Sequence, residues 1–205
     1  MTLAGKIYLR TERGLVAMQE EDYDAELDLQ LLLAEYPDLL AGDQIRPASP
    51  RRWLLVERES GIEDTAGGLP RWSLDHLFID QEAVPTLVEV KRRTDTRLRR
   101  EVVGQMLDYA ANAVVYLPIE QLQAWFDDRC RREGRAAEQI MAEALGPDLD
   151  PDAFWLAAKT NLQAGRIRLV FVADEIPPEL QRIVEFLNGQ MDPAEVLAIA
   201  IPPST

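Results

Sequence analysis

Cysteine and histidine are almost missing from this chain, which has only Cys130 and His76 in 205 residues. One cysteine excludes an internal disulfide, and a reducing cytoplasm is the simplest expected setting. Long apolar runs are missing too. None approaches the roughly 20 residues that span a bilayer, so no membrane partner is expected. The opening MTLAGKIYLRTERG lacks the apolar core of a signal peptide. Positive charge is scarce: 22 Lys and Arg face 36 Asp and Glu, a formal net charge of −14. That balance argues against broad non-specific binding to nucleic acid or anionic membranes, while leaving room for a local basic strip. Repeats and low-complexity tracts are absent. What is present is a 47% apolar composition, enough to build the core of one domain over residues 1–205.

Taken in order, Lys6 to Arg10 and Leu15 to Met18 predict an N-terminal hairpin within residues 1–22, with Gly14 supplying the turn. Tyr23 to Glu26 opens a helix with an inward stripe of Leu27, Leu31 and Ala34, widened by Leu29, Leu32 and Leu33, and Pro37 ends it. Gly42 to Pro50 reads as loop. Trp53 to Glu59 reads as a strand and Ser60 to Pro70 as a mobile connection. Two strands follow within Arg71 to Arg93. Thr94 to Ala113 is a helix whose stripe is Leu98, Val102, Met106 and Ala110. Residues 118–165 read as a helical insertion on one side of the core, anchored by Trp125, Phe126, Phe154, Trp155 and Leu156. Arg166 to Ala173 is a strongly apolar central strand, Glu179 to Asn188 a helix and Val196 to Ile201 a last strand.

The stretch RWSLDHLFIDQEAVPTLVEVKRR carries the chemistry. Alternation puts Glu89 and Lys91 on one face of their strand, with Val88 and Val90 turned into a core. An acid and a lysine on a buried strand need compensation, and Asp75 from the neighbouring strand increases that need unless a cation is present. Two carboxylates and a lysine make a cradle for a hard divalent ion and a water. The plainer reading is a surface ion pair. His76 falls on the face opposite Asp75, which favours a structural role. Glu57 and Glu59 end a strand that could border the site, and strand-end acids are usually solvated. Six basic residues crowd positions 91–100 against one acid, Asp95. They read either as solvated arginines or as contacts for phosphate oxygens. Glu101, Gln105 and Tyr109 form a second stripe on the following helix.

With these residues in hand, the chain resembles the PD-(D/E)xK, or restriction-endonuclease-like, nuclease superfamily. The likeness rests on Asp75 in WSLDHLFID and on Glu89 and Lys91 in VEVKRR. Uncharacterised prokaryotic members carry runs like LQLLLAEYPDLL, REVVGQMLDYAAN and LVFVADEIPPELQRIVEFLN, so the likeness covers nearly the whole chain. It implies an α/β fold with an α-β-β-β-α-β core and a mixed central sheet. It also implies Glu26 as an acid from the first helix that joins Asp75 and Glu89 at the metal, with Gln105 and Tyr109 as supporting residues. The superfamily's usual proline before the first acid is replaced here by Leu74.

The expected activity is Mg²⁺- or Mn²⁺-dependent hydrolysis of a phosphodiester in nucleic acid, DNA before RNA. Asp75 and Glu89 would hold the ion, Lys91 would orient the attacking water, and Gln105 would hold the lysine or the water. Arg92, Arg93, Arg97 and Arg100 would contact backbone phosphates. The alternative is a catalytically degenerate module of the same fold that binds a protein partner, and a third reading is hydrolysis of a small phosphate ester. A symmetric homodimer would place two sites on two strands, with Val196 to Ile201 as the apolar edge.

Overall fold

The computed structural model describes residues 8–11, 14–17, 26–63, 70–92 and 101–202. A hairpin of β1 (Tyr8–Thr11) and β2 (Gly14–Ala17) comes first. Helix α1 (Glu26–Glu35), a 3₁₀ turn (Pro37–Leu40) and the short α2 (Gly42–Ile45) lead into β3 (Trp53–Glu63), β4 (Pro70–Asp80) and β5 (Pro85–Lys91). Four helices follow: α3 (Glu101–Tyr116), α4 (Ile119–Glu133), α5 (Ala137–Leu145) and α6 (Pro151–Gln163). The chain closes with β6 (Arg168–Ala173), α7 (Pro178–Gln190) and β7 (Glu195–Ala200). Five strands form one sheet in the order β3-β4-β5-β6-β7. β3, β4 and β5 are antiparallel, and β5, β6 and β7 run parallel. This is an α/β fold with a mixed five-stranded sheet and, among the described residues, seven α-helices.

The sheet separates two apolar clusters. One face carries Leu77, Ile79, Leu87, Leu169 and Phe171 against α3 to α7. The other carries Phe78, Val88, Val90, Val170 and Val172 against Leu29 and Leu33 of α1. β6 is buried along its whole length, which its uninterrupted RLVFVA permits in a parallel strand covered on both faces. Asp150 caps α6 by accepting from the N–H groups of Asp152 and Ala153, with Pro151 in the first turn.

Several expectations are corrected. Leu29 and Leu33 are fully buried, whereas Leu27 and Leu31 are 50% and 47% exposed. Leucines surround α1, so its periodicity selects no face; packing on Val88 and Val90 does. Both ends of the expected connection over Ser60 to Pro70 are strand: β3 runs on to Glu63 and β4 starts at Pro70, with Ser60, Gly61 and Ile62 paired to Leu74, Ser73 and Trp72. Residues 64–69 lie outside the described residues. The Gly42 to Pro50 loop begins with α2, where Gly42 lies so close to Arg51 that a Cβ would stand 2.2 Å from its carbonyl oxygen. Gly14 opens β2 opposite Thr11, and the two residues between them lie outside the described residues. The start of the helix expected from Thr94, with Arg93, Arg97 and Arg100, lies outside the described residues.

At the β4–β5 turn, Asp80 accepts from the N–H groups of Glu82 and Val84 through Oδ1. Its Oδ2 meets Arg168 Nη1 at 3.1 Å and Arg51 Nε at 3.5 Å, and all three side chains are nearly or fully buried. Arg168 also donates to Glu195 Oε2 at 2.7 Å. This charged pin fixes the turn, and with it the register of β4 on β5.

Candidate active site

β4 and β5 are paired from Ile79/Pro85 to His76/Val88 and then part. The next residues in that register are Asp75 and Glu89, opposite each other on the α3 face. β5 continues alongside β6 as far as Lys91 and Ala173. On the other side the Val90 N–H donates to Asp75 Oδ2 at 2.7 Å, so a carboxylate stands in for the departing strand. The acid is thereby held directly by the backbone of β5.

Lys91 reaches back into this opening. Its Nζ lies 2.9 Å from Glu26 Oε1, 3.1 Å from Glu89 Oε1 and 3.9 Å from Asp75 Oδ2. Glu26 stands at the first turn of α1, so the sheet and both helical layers contribute. The expected grouping of Glu26, Asp75, Glu89 and Lys91 is therefore present. Glu89 is 2% exposed and its Oε2 is buried without a hydrogen-bond partner. Tyr109 is fully buried on α3, and Gln105 donates to its hydroxyl. Gln105 thus engages the tyrosine instead of Lys91, because both sit on one face of α3, four residues apart.

The electrostatics follow from crowding in a dry place. Burial, then the facing Asp75, pushes Glu89 up to about 7. Burial also raises Asp75, to about 6, against the pull of Lys91 and of the Val90 N–H. Burial would lower Lys91, but Glu89, Asp75 and Glu26 together outweigh it and raise it. Tyr109 rises to about 12 through burial and the nearby Glu89 and Asp75. With every acid ionised, three carboxylates around one ammonium leave a net charge of −2.

Among the described residues, no group of three or more His, Cys, Asp or Glu side chains stands as a ready ligand set. The Lys91 ammonium lies among the three carboxylates instead. The donors nevertheless fit a hard divalent cation: they are carboxylate oxygens, one is buried without a partner, and two positive charges would neutralise the cluster.

Comparison with family models, with curated proteins and with solved structures finds no match to this chain. The residues must therefore speak through their own geometry.

His76 is fully buried on the face opposite Asp75, as alternation required. Its Nε2 lies 2.8 Å from the Gln30 carbonyl oxygen, which accepts, so the ring ties β4 to α1. Cys130 is buried in the helical layer. Glu57 is bound at both oxygens by Arg132, at 2.8 and 2.6 Å, which removes it as a site candidate. Glu59 gains weight. It sits on β3 in register with Asp75, exposed, with φ of 52° in the left-handed region. No residue pattern around Glu59 signals that backbone conformation. Arg92 is half-buried at the end of β5, beside the site.

Proposed function

We propose that this chain is a metal-dependent nuclease with a restriction-endonuclease-like core, acting on DNA in the cytoplasm. The observation that carries the reading is the convergence of Asp75, Glu89 and Glu26 on Lys91 where β4 and β5 part. Asp75 and Glu89 would hold Mg²⁺ or Mn²⁺, with Glu26 beside them. The bound ion supplies a polarised phosphoryl oxygen and a more acidic water. Lys91 donates hydrogen bonds at this spot, which suits it to orient a nucleophilic water or to steady charge developing on phosphate. Tyr109 and Gln105 wall the site on the α3 side. Arg92, Arg93, Arg97 and Arg100 would hold backbone phosphates without reading sequence.

Cleavage of duplex, single-stranded and branched DNA with Mg²⁺ or Mn²⁺ tests the reading. The parent should cut and lose activity with chelator, and D75N and K91M should each lose most of it. No cleavage of any substrate, or variants indistinguishable from the parent, would sink the proposal. D75N is the better variant, because asparagine can still accept from the Val90 N–H and D75A cannot.

A second reading has its own observation. Lys91 already supplies a cation to all three acids, which a degenerate binding module with a protein partner would need for folding. Calorimetry with Mn²⁺ separates the two: saturable binding lost in a D75N/E89Q double variant favours the enzyme.

A further inference from the structure

The two edges of the sheet are treated differently. β3 is covered by α4 and α5, and Arg129 donates to the Leu55 carbonyl at 2.7 Å where the β3 register shifts. Among the described residues β7, the other edge, has no strand beyond it. Its sequence EVLAIA holds no lysine and no proline, the residues that commonly protect such an edge. Grooves of about 700 and 390 Å³ flank it on its two faces, one toward Leu39 and Ile45, the other toward Gln181 and Glu185 of α7.

The hydrogen-bonding groups of β7 are almost used up, and those left over are specific. The N–H groups of Glu195 and Ile201 donate to the carbonyls of Ile167, just before β6, and of Ala173, at its end, at 3.0 and 2.8 Å. Odd-numbered residues therefore face β6 and even-numbered ones face outward. Outward, the Val196 N–H is taken by Asn188 Oδ1 at 2.9 Å, and Pro202 has no N–H. Among the described residues nothing takes up the outward groups of Ala198 and Ala200.

We propose that β7 pairs antiparallel with β7 of a second copy of this chain, with the twofold axis at Ile199. In that register Ala198 faces Ala200 of the second copy, and all four open pairs of groups are matched. Val196, with its N–H spent, faces Pro202, which has none to give. Centring the twofold on Ala198 would set Ala200 against the spent Val196 N–H, and centring it on Ala200 would set Ala198 against Pro202. Only the Ile199 register leaves none of the alanine groups unmet. It also brings Leu197, Ile199 and Ile201 of both copies together on one face, over the larger groove. The paired stretch from Val196 to Pro202 carries no charged side chain, although the chain carries −14, and Glu195 lies beyond it and is held by Arg168. This inference concerns the sheet edge and stands apart from the reading of the active site.

Light scattering on the full chain across a concentration series tests it. The parent should form a dimer. Ala198→Pro and Ala200→Pro each remove outward donors without touching β6, and each should raise the dimer dissociation constant about tenfold or more. Circular dichroism and a thermal melt check that these variants fold. Cysteine pairing gives a second readout that needs no proline. Facing non-hydrogen-bonded residues have Cα atoms about 4.5 Å apart, within disulfide reach. On oxidation I199C should cross-link two copies, and L197C, whose mate is Ile201, should not; buried Cys130 stays out of the exchange. A monomer at every concentration, a dimer indifferent to both prolines, or cross-linking of L197C in place of I199C would overturn the proposal.

Discussion

Glu89 is the residue at which folding and chemistry pull apart. Its folded carboxyl titrates near 7, against an ordinary value of 4.5. A raised carboxyl favours the fold while protonated, so its contribution declines as pH climbs from about 4.5 through 7. E89Q should therefore melt higher than the parent above pH 7 without metal, a difference that a pair of melts at pH 6 and pH 8 would read. Metal binding should respond in the opposite sense. Protons on Asp75 and Glu89 compete with the ion, so Mn²⁺ affinity by calorimetry should tighten as pH rises from 6 to 8, with proton release. His76 titrates the other way. Burial lowers it to about 4, so the stability it contributes is present above pH 6.5 and fades as pH falls toward 4. The difference in urea unfolding between the parent and H76F isolates this group from the carboxylates. It should shrink on acidification, by an amount on the order of 3 kcal/mol.

At the level of elements, β6 was legible because a continuous apolar run has one comfortable home, the middle of a sheet covered on both faces. The placing of Glu89 and Lys91 on one face followed from alternation alone. That Asp75 faces Glu89 did not, since it depends on register, and register is set by the turn at residues 81–84. The pin that holds this turn joins Asp80 to Arg168, 88 positions away, a pairing that no local pattern announces. Helix α1 was legible as a helix but its buried face was not, for leucines lie all round it. D80A should remove the one buried carboxylate that the Arg51 and Arg168 guanidiniums share, leaving each only a half-exposed acid, Glu82 or Glu195. We expect a loss of about 3–5 kcal/mol in denaturant unfolding, and with it a misplaced Asp75.

Across the whole molecule, no helix among the described residues is long and apolar enough to cross a membrane. The formal charge of −14 repels a polyanion at long range. If DNA is the substrate, association must come from a local patch and from neutralising the acid cluster. Anisotropy with a labelled duplex should show binding strengthened by Ca²⁺ or Mn²⁺, lost with chelator and weakened steeply by salt. Composition argues against broad affinity for nucleic acid, and only the positions of the acids and the lysine pointed to a site.

The unbonded oxygen of Glu89 has a last consequence, for evolution in the laboratory. A population of variants selected only for survival at high temperature, without metal, has every reason to discard that acid and then Asp75. Neutral residues should accumulate there before anywhere else in the core. Such a heat-selected library would trace the outline of the candidate site with no substrate ever supplied.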